Sequence, residues 1–81
     1  MKWTKDLPAE IGWYFTRSRP TYWVKDRWPE RDVVRIYQQD GEFMVEFSVS
    51  HKVPLSAFEP EKRAEFEFED EWAGPIEEPK E

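Results

Sequence analysis

The chain has 81 residues and no cysteine, which excludes disulfides and thiolate metal sites. A domain of this length buries only about two-thirds of its unfolded surface, so five Trp, six Phe and three Tyr must supply the core. The net charge of −6 is uneven, because residues 59–81 carry three Lys/Arg and ten Asp/Glu while residues 1–58 are nearly neutral. We expect one small β domain over 1–76 and a frayed acidic tail over 77–81.

The first third of the chain predicts an extended lead-in and two strands. Residues 1–11 contain Leu7-Pro8, which favours extended backbone. GWYFTR (12–17) alternates as a first strand, with odd- and even-numbered side chains on opposite faces. Residues 18–20 (SRP) are typical of a turn. TYWVKDR (21–27) then predicts a second strand, and residues 28–32 a polar connection.

The strongest local signal is VVRIYQQDGEFMVEFSVS (33–50), where Asp40-Gly41 separates two runs rich in β-branched and aromatic residues. That pattern predicts a β-hairpin with a two-residue turn. The turn pairs Ile36 with Val45 and Arg35 with Glu46, and an opposed-charge pair of this kind contributes about 0.2–1 kcal/mol. The predicted apolar face consists of Val34, Ile36, Phe43, Val45, Phe47 and Val49.

After the hairpin the pattern becomes less regular. Pro54 argues against a central strand, and residues 56–63 fit a short helical turn with Pro60 near its start. AEFEFEDEW (64–72) fits two patterns. As a helix it places Ala64, Phe68 and Trp72 in one stripe, and as a strand it turns Phe66, Phe68 and Trp72 inward, with Asp70 as the misfit. The alternation of Phe and Glu favours the strand.

These elements predict an all-β fold, or an α+β fold if the helical turn forms. The strand lengths and turn spacing are typical of a four- to five-stranded antiparallel meander, curled into a small roll or barrel. No apolar run approaches the length of a membrane span or signal peptide. We therefore expect a cytoplasmic protein with no membrane partner.

The residue inventory argues against catalysis. His51 is the only histidine and lies in an expected loop, and no GxSxG elbow is present. The acidic run lacks the DxDxDG spacing of a calcium loop. We expect no enzyme activity, no cofactor and no metal. Arginines and aromatics alternate between residues 17 and 35, but a pI of about 4.8 makes direct binding of nucleic acid unexpected.

The acidic run gives the sharpest functional hypothesis. Carboxylates on alternate positions of a strand repeat every ~7 Å and could imitate the phosphates that a nucleic-acid-binding groove accepts, so the expected partner is a basic protein surface. The alternatives are a run that only aids solubility, a partner site on three tryptophans, and a homodimer. The acidic candidates are Glu65, Glu67, Glu69, Asp70 and Glu71, and the aromatic candidates are Trp13, Trp23 and Trp28.

Four segments together form a recognisable order: GWYFTR, VVRIYQQDGEF, VPLSAF and EWAGPIEEP. In this order the chain resembles small accessory proteins of phages and prophages over about half its length, and residues 59–71 are extra to the pattern. The resemblance implies the cytoplasm of a bacterial host as the setting. It also implies a protein that inhibits or modulates a host protein, including defence or CRISPR nuclease complexes as an anti-CRISPR would.

Overall fold

The structure is a computed structural model that describes residues 2–24, 27–48 and 51–77. Five strands, a 3₁₀ turn and one short helix follow each other along the chain. They are β1 (Gly12–Pro20), β2 (Asp32–Gln39), β3 (Glu42–Ser48), β4 (His51–Pro54), the 3₁₀ turn (Leu55–Phe58), α1 (Pro60–Glu65) and β5 (Phe68–Ile76).

The five strands form one antiparallel sheet in the order β4-β3-β2-β1-β5. Strands β1 to β4 make a meander, and β5 returns to pair with the free edge of β1. The predicted fold class and strand number are therefore confirmed. In the described part of the chain β4 and β5 are the two edges of the sheet, which makes it an open sheet and not a closed barrel.

The central hairpin has the predicted register, with Ile36 opposite Val45 and Arg35 opposite Glu46. Asp40 and Gly41 both have positive φ, 53° and 82°, as a two-residue hairpin turn requires. The predicted apolar face is buried at its centre, where Val34 contributes to the core. Val49 lies outside the described residues.

The core lies on one face of the sheet, beneath the segment that connects β4 to β5. Leu55 of the 3₁₀ turn is buried there, and Phe58 packs against Phe47 of β3 and Trp72 of β5, with centroid distances of 5.7 and 5.6 Å. The 3₁₀ turn thus ties β3 to β5 across the sheet. The buried hydrophobic cluster consists of Tyr14, Val34, Ile36, Val45, Leu55 and Trp72.

The helical turn predicted over 56–63 is confirmed as the 3₁₀ turn followed by α1, which has Pro60 in its first turn. Proline is tolerated there because the N–H it lacks would have no partner inside the helix. Pro54 ends the edge strand β4, as its missing donor predicts.

Two predictions in the first third are wrong. Residues 18–20 are not a turn, since they continue β1, and Thr21–Trp23 form a turn and a bend where the sequence predicts a second strand. β1 extends to Pro20 because β5 pairs with it there, from Glu71 opposite Arg17 to Phe68 opposite Pro20. Lys25 and Asp26 lie outside the described residues.

The segment 64–72 divides between the two alternatives. Ala64 and Glu65 end α1, residues 66–67 form a turn, and β5 begins only at Phe68. Trp72 faces the core as predicted, but Phe66 does not, because it precedes the strand and is 71% exposed. Phe68, the first residue of β5, is also exposed.

The expected tail over 77–81 lies outside the described residues except for Glu77. In the ranges that the structure describes, no helix is both long enough and apolar enough to cross a membrane.

Candidate functional site

The acidic run does not form the exposed row of carboxylates that the sequence suggested. Glu65 ends α1 and Glu67 lies in the following turn, so only three of the five residues belong to β5. Glu69 and Glu71 share one face of that strand, as predicted, but both are paired with arginines. The predicted row of free carboxylates on alternate positions of one strand is therefore wrong.

The reason is the register between β5 and β1. Arg17 lies opposite Glu71 and Arg19 opposite Glu69. Arg17 Nη2 donates to Glu71 Oε1 at 2.6 Å, and Arg19 Nε donates to Glu69 Oε1 at 2.5 Å. Lys5 makes a second contact with Glu69 at 3.2 Å. The carboxylates of this face are therefore neutralised within the protein.

Asp70 is the polar residue on the inward face of β5 and is only 8% exposed. Arg63 of α1 donates to its two carboxylate oxygens at 2.8 and 3.1 Å, and the hydroxyl of Ser18 on β1 donates to the same group. A buried charge is costly unless it is paired and hydrogen-bonded. Asp70 meets both conditions, and it fastens α1 to the sheet.

The three candidate tryptophans do not form one exposed surface. Trp28 lies against the guanidinium groups of Arg17 and Arg19, at 4.4 and 4.1 Å from its ring centroid. Trp3 lies on Arg17 at 4.1 Å, so Arg17 contacts two indoles. Each cation–π contact of this type contributes about 0.5–2 kcal/mol. Trp13 is also partly buried in β1, which leaves Trp23 as the exposed member.

An apolar surface forms instead where β1 ends and β5 begins. Seven large hydrophobic side chains are exposed in the described ranges, and five of them lie at this end of the sheet. The two segments that carry them meet where the N–H of Thr21 donates to the carbonyl of Glu67 at 2.8 Å. We call this surface the terminal apolar patch, which consists of Tyr22, Trp23, Val24, Phe66 and Phe68.

Arg19 positions the loop that carries three of the five patch residues. Its Nη1 donates to the carbonyl of Val24 at 3.0 Å and to that of Arg27 at 3.3 Å, while its Nε holds Glu69. The guanidinium is buried, at 8% exposure for the residue. Arg19 thus ties the loop to β5, and the N–H of Trp23 donates to the carbonyl of Pro20 at 3.2 Å.

The electrostatics of the Arg19 site follow from its contacts. Burial alone raises the pKa of Glu69, but the hydrogen bonds and charges of Arg19 and Lys5 outweigh burial, so this pKa lies below its usual range. Glu69 therefore stays ionised well into mildly acidic solution, and the contact that supports the loop stays intact.

The other two patch residues, Phe66 and Phe68, follow α1. Phe66 caps the C-terminus of the helix, and its N–H donates to the carbonyl of Arg63 at 3.0 Å. Glu67 then takes a left-handed conformation with φ of 59°, which reverses the chain into β5. This turn holds Phe66 out of the core, and its side chain is left in solvent.

Within the described ranges, no three His, Cys, Asp or Glu side chains are placed to hold a metal ion. His51 is exposed at the start of β4, where its ring lies 5.4 Å from that of Phe47. The absence of catalysis, of a cofactor and of a metal remains a prediction.

Comparison with known proteins finds no matching family model, no matching curated protein and no matching solved structure. The geometry of the chain itself therefore carries the functional argument.

Sequence reasoning singled out Trp23 but missed the rest of the patch. The alternating pattern predicts a strand that contains Tyr22 and Val24, and it predicts an inward-facing Phe66. One signal was available, since Pro20 lies two residues before the apolar triplet Tyr22 to Val24 and lacks the N–H that a continuing strand would use. For Phe66 the alternating pattern contained no such signal.

Proposed function

We propose that this protein is a non-enzymatic binding protein that docks onto another protein through the terminal apolar patch. The observation that carries the proposal is the concentration of five exposed hydrophobic side chains at one end of the sheet. Scattered single exposed hydrophobics are normal on a small domain, whereas several at one end of a sheet are typical of an interaction surface. Tyr and Trp are also the residues most often found at binding hot spots.

The support beneath the patch favours the same function. Arg19 holds the loop of Tyr22 to Val24, and the turn at Glu67 presents Phe66. A surface held in place before binding loses little conformational entropy on association, which raises affinity. A solubilising tail would have no need of such a support.

The rim of the patch supplies a charge preference for the partner. Glu65 and Glu67 are exposed beside Phe66, and neither has an ion pair in the described part of the chain. The partner surface that fits is apolar with basic groups at its edge. The competing proposal is a surface that mimics nucleic acid. Because Glu69, Asp70 and Glu71 are paired within the protein, only Glu65 and Glu67 of the five candidates remain unpaired in the described residues for such a surface.

The resemblance to small phage accessory proteins supports a choice of partner class. On that basis we propose a bacterial host protein, with defence nucleases as the first class to test, and inhibition or modulation as the outcome of docking. Homodimerisation through the patch is the alternative outcome.

The test is a pull-down from bacterial lysate with immobilised protein, followed by measurement of the affinity of the captured partner. We expect the double variant Tyr22→Ser/Phe66→Ser to lose capture. Ile11→Ser is the matched control, because Ile11 is exposed but lies away from the patch, and it should bind like the wild type. Sedimentation of the protein alone tests for the homodimer.

A salt series separates the two surfaces. Docking through apolar contacts should persist from low to high ionic strength, since salt screens charges and not apolar burial. Capture that survives in the double variant, but is lost at high salt and on charge reversal of Glu65 and Glu67, would reject the proposal and support the acidic surface.

A further inference from the structure

A pocket of about 230 Å³ lies between α1 and β5, adjacent to the terminal apolar patch. It is continuous with the patch through Phe68, which belongs to both, and Thr21 is also part of its lining. The apolar part of its lining consists of Phe58, Pro60, Ala64, Phe68 and Trp72.

The charged groups in the lining are already paired. Lys5 holds Glu69 at 3.2 Å, and Arg63 holds Asp70 at 2.8 Å. An occupant that carried a charge would therefore lose hydration and find no counter-ion without breaking one of these pairs. The chemistry of the pocket favours an uncharged, apolar group.

The walls favour an aromatic ring over an aliphatic chain. Arg63 contacts the rings of Phe58 and Phe68, with its Cζ 5.4 and 5.0 Å from their centroids. Phe58 meets Trp72 edge to face, at 5.6 Å and 89°. Aromatic rings extend such an arrangement through further edge-to-face and cation–π contacts. The volume is also adequate, because a cavity of about 150 Å³ holds benzene.

We infer that this pocket receives one aromatic side chain of the partner protein and anchors it next to the terminal apolar patch. The identity of the occupant as a partner residue rests on the proposed function. The affinity of the pocket for an aromatic ring does not rest on it and can be measured on the protein alone.

The experiment is a titration of the isotope-labelled full chain with indole, followed by two-dimensional NMR. Indole is a free stand-in for an aromatic side chain. We expect saturable shifts of the amide signals of Ala64, Phe68 and Trp72, with a dissociation constant of the order of millimolar for so small a ligand. An absence of saturable shifts at these residues overturns the inference.

A matched pair of variants on α1 tests whether the pocket itself binds the ring. Ala64→Leu fills the pocket with a residue that suits a helix and should weaken indole binding by about tenfold or more. Glu61→Leu is the control, because Glu61 is an exposed residue of α1 outside the lining, and it should leave binding unchanged. Ala64→Met serves as a second filling variant if Ala64→Leu does not give a dispersed spectrum. Equal binding by the filled variant and the control overturns the inference.

The captured partner then separates this inference from the proposed function. Loss of partner affinity in both the filled variant and the patch double variant supports both proposals. Loss in the patch variant alone overturns the pocket as the anchor and leaves the proposed function standing. If neither variant loses affinity for the partner, the proposed function is overturned. If the wild-type protein is a dimer and the filled variant is a monomer, a second copy of this chain occupies the pocket. That result would overturn the inference that a partner side chain is the occupant.

Discussion

Arg19 of β1 forms an ion pair with Glu69, its cross-strand neighbour on the adjacent strand β5, with Arg19 Nε 2.5 Å from Glu69 Oε1. The same guanidinium also bonds the carbonyls of Val24 and Arg27. Arg19 therefore joins the edge strand β5 to the loop that carries part of the terminal apolar patch. The stability of the sheet is in this way coupled to the shape of the candidate binding surface.

Arg19→Ala should lower the free energy of unfolding by about 2–4 kcal/mol, because it leaves two loop carbonyls without their donor and removes a buried partner of Glu69. Urea denaturation measures the change. Lys52→Ala, at an exposed residue of β4, should shift stability by less than about 0.5 kcal/mol. A similar small shift for Arg19→Ala would mean that the buried pair does not hold the loop.

The low pKa of Glu69 predicts a specific dependence of stability on pH. Because this pKa is depressed in the folded state, its contribution is present above the unfolded value of about 4.3 and is lost as pH falls through the folded pKa. Glu69→Gln should therefore lower the free energy of unfolding at pH 7 and flatten its decline below pH 4.5. Denaturation curves between pH 2 and 7 measure both, and an unchanged slope would contradict the assignment.

Asp70→Asn should destabilise the protein by about 2–4 kcal/mol, since it leaves the guanidinium of Arg63 partly buried without a counter-ion. Ser18→Ala removes one hydrogen bond to the same carboxylate and should cost about 1 kcal/mol. Hydrogen exchange of α1 amides provides the local measurement, because α1 should open more readily in Asp70→Asn. Equal exchange in both variants would show that Asp70 does not fasten the helix.

Gly74→Ala should cost more than Gly41→Ala, although both glycines have positive φ. A Cβ at Gly74 would lie 2.8 Å from Cδ2 of Tyr14 and 3.1 Å from the carbonyl oxygen of Trp13, whereas a Cβ at Gly41 meets nothing within 4 Å. We expect about 1–2 kcal/mol for the hairpin glycine, from backbone strain alone, and more than about 3 kcal/mol at Gly74. Thermal denaturation compares them, and equal losses would contradict the close approach of Tyr14.

Phe66→Ser and Trp72→Ala test which aromatic of segment 64–72 belongs to the core. Phe66 is exposed, so its replacement should change the free energy of unfolding by less than about 0.5 kcal/mol. Trp72 is 1% exposed, and its truncation should cost about 3–5 kcal/mol. Chemical denaturation measures both, and a large loss for Phe66→Ser would restore the inward placement that the sequence suggested.

Local features of the fold were predictable because short-range chemistry determines them. The Asp40-Gly41 turn determines the pairing of Ile36 with Val45 and of Arg35 with Glu46, and the structure confirms both pairs. Pro54 at an edge and Pro60 in the first turn of a helix follow in the same way from the missing N–H of proline. These inferences need only neighbours along the chain.

The candidate site was less predictable because it depends on the pairing of β1 with β5, which joins residues about fifty positions apart. That pairing sets Arg17 opposite Glu71 and Arg19 opposite Glu69, and so it converts an apparently free acidic run into internal ion pairs. The charges of these residues are the same in either arrangement, and only their distance in space decides whether a partner can use them.

The sequence by itself determined the hairpin, its register, the antiparallel class of the sheet and the position of the helical turn. The tertiary structure alone decided that Glu69, Asp70 and Glu71 are neutralised and that Tyr22, Val24 and Phe66 are left in solvent. The physical reason is the range of the interactions. Turn geometry and side-chain alternation act over a few residues, whereas exposure and ion pairing depend on which strands the closing β1–β5 contact brings together.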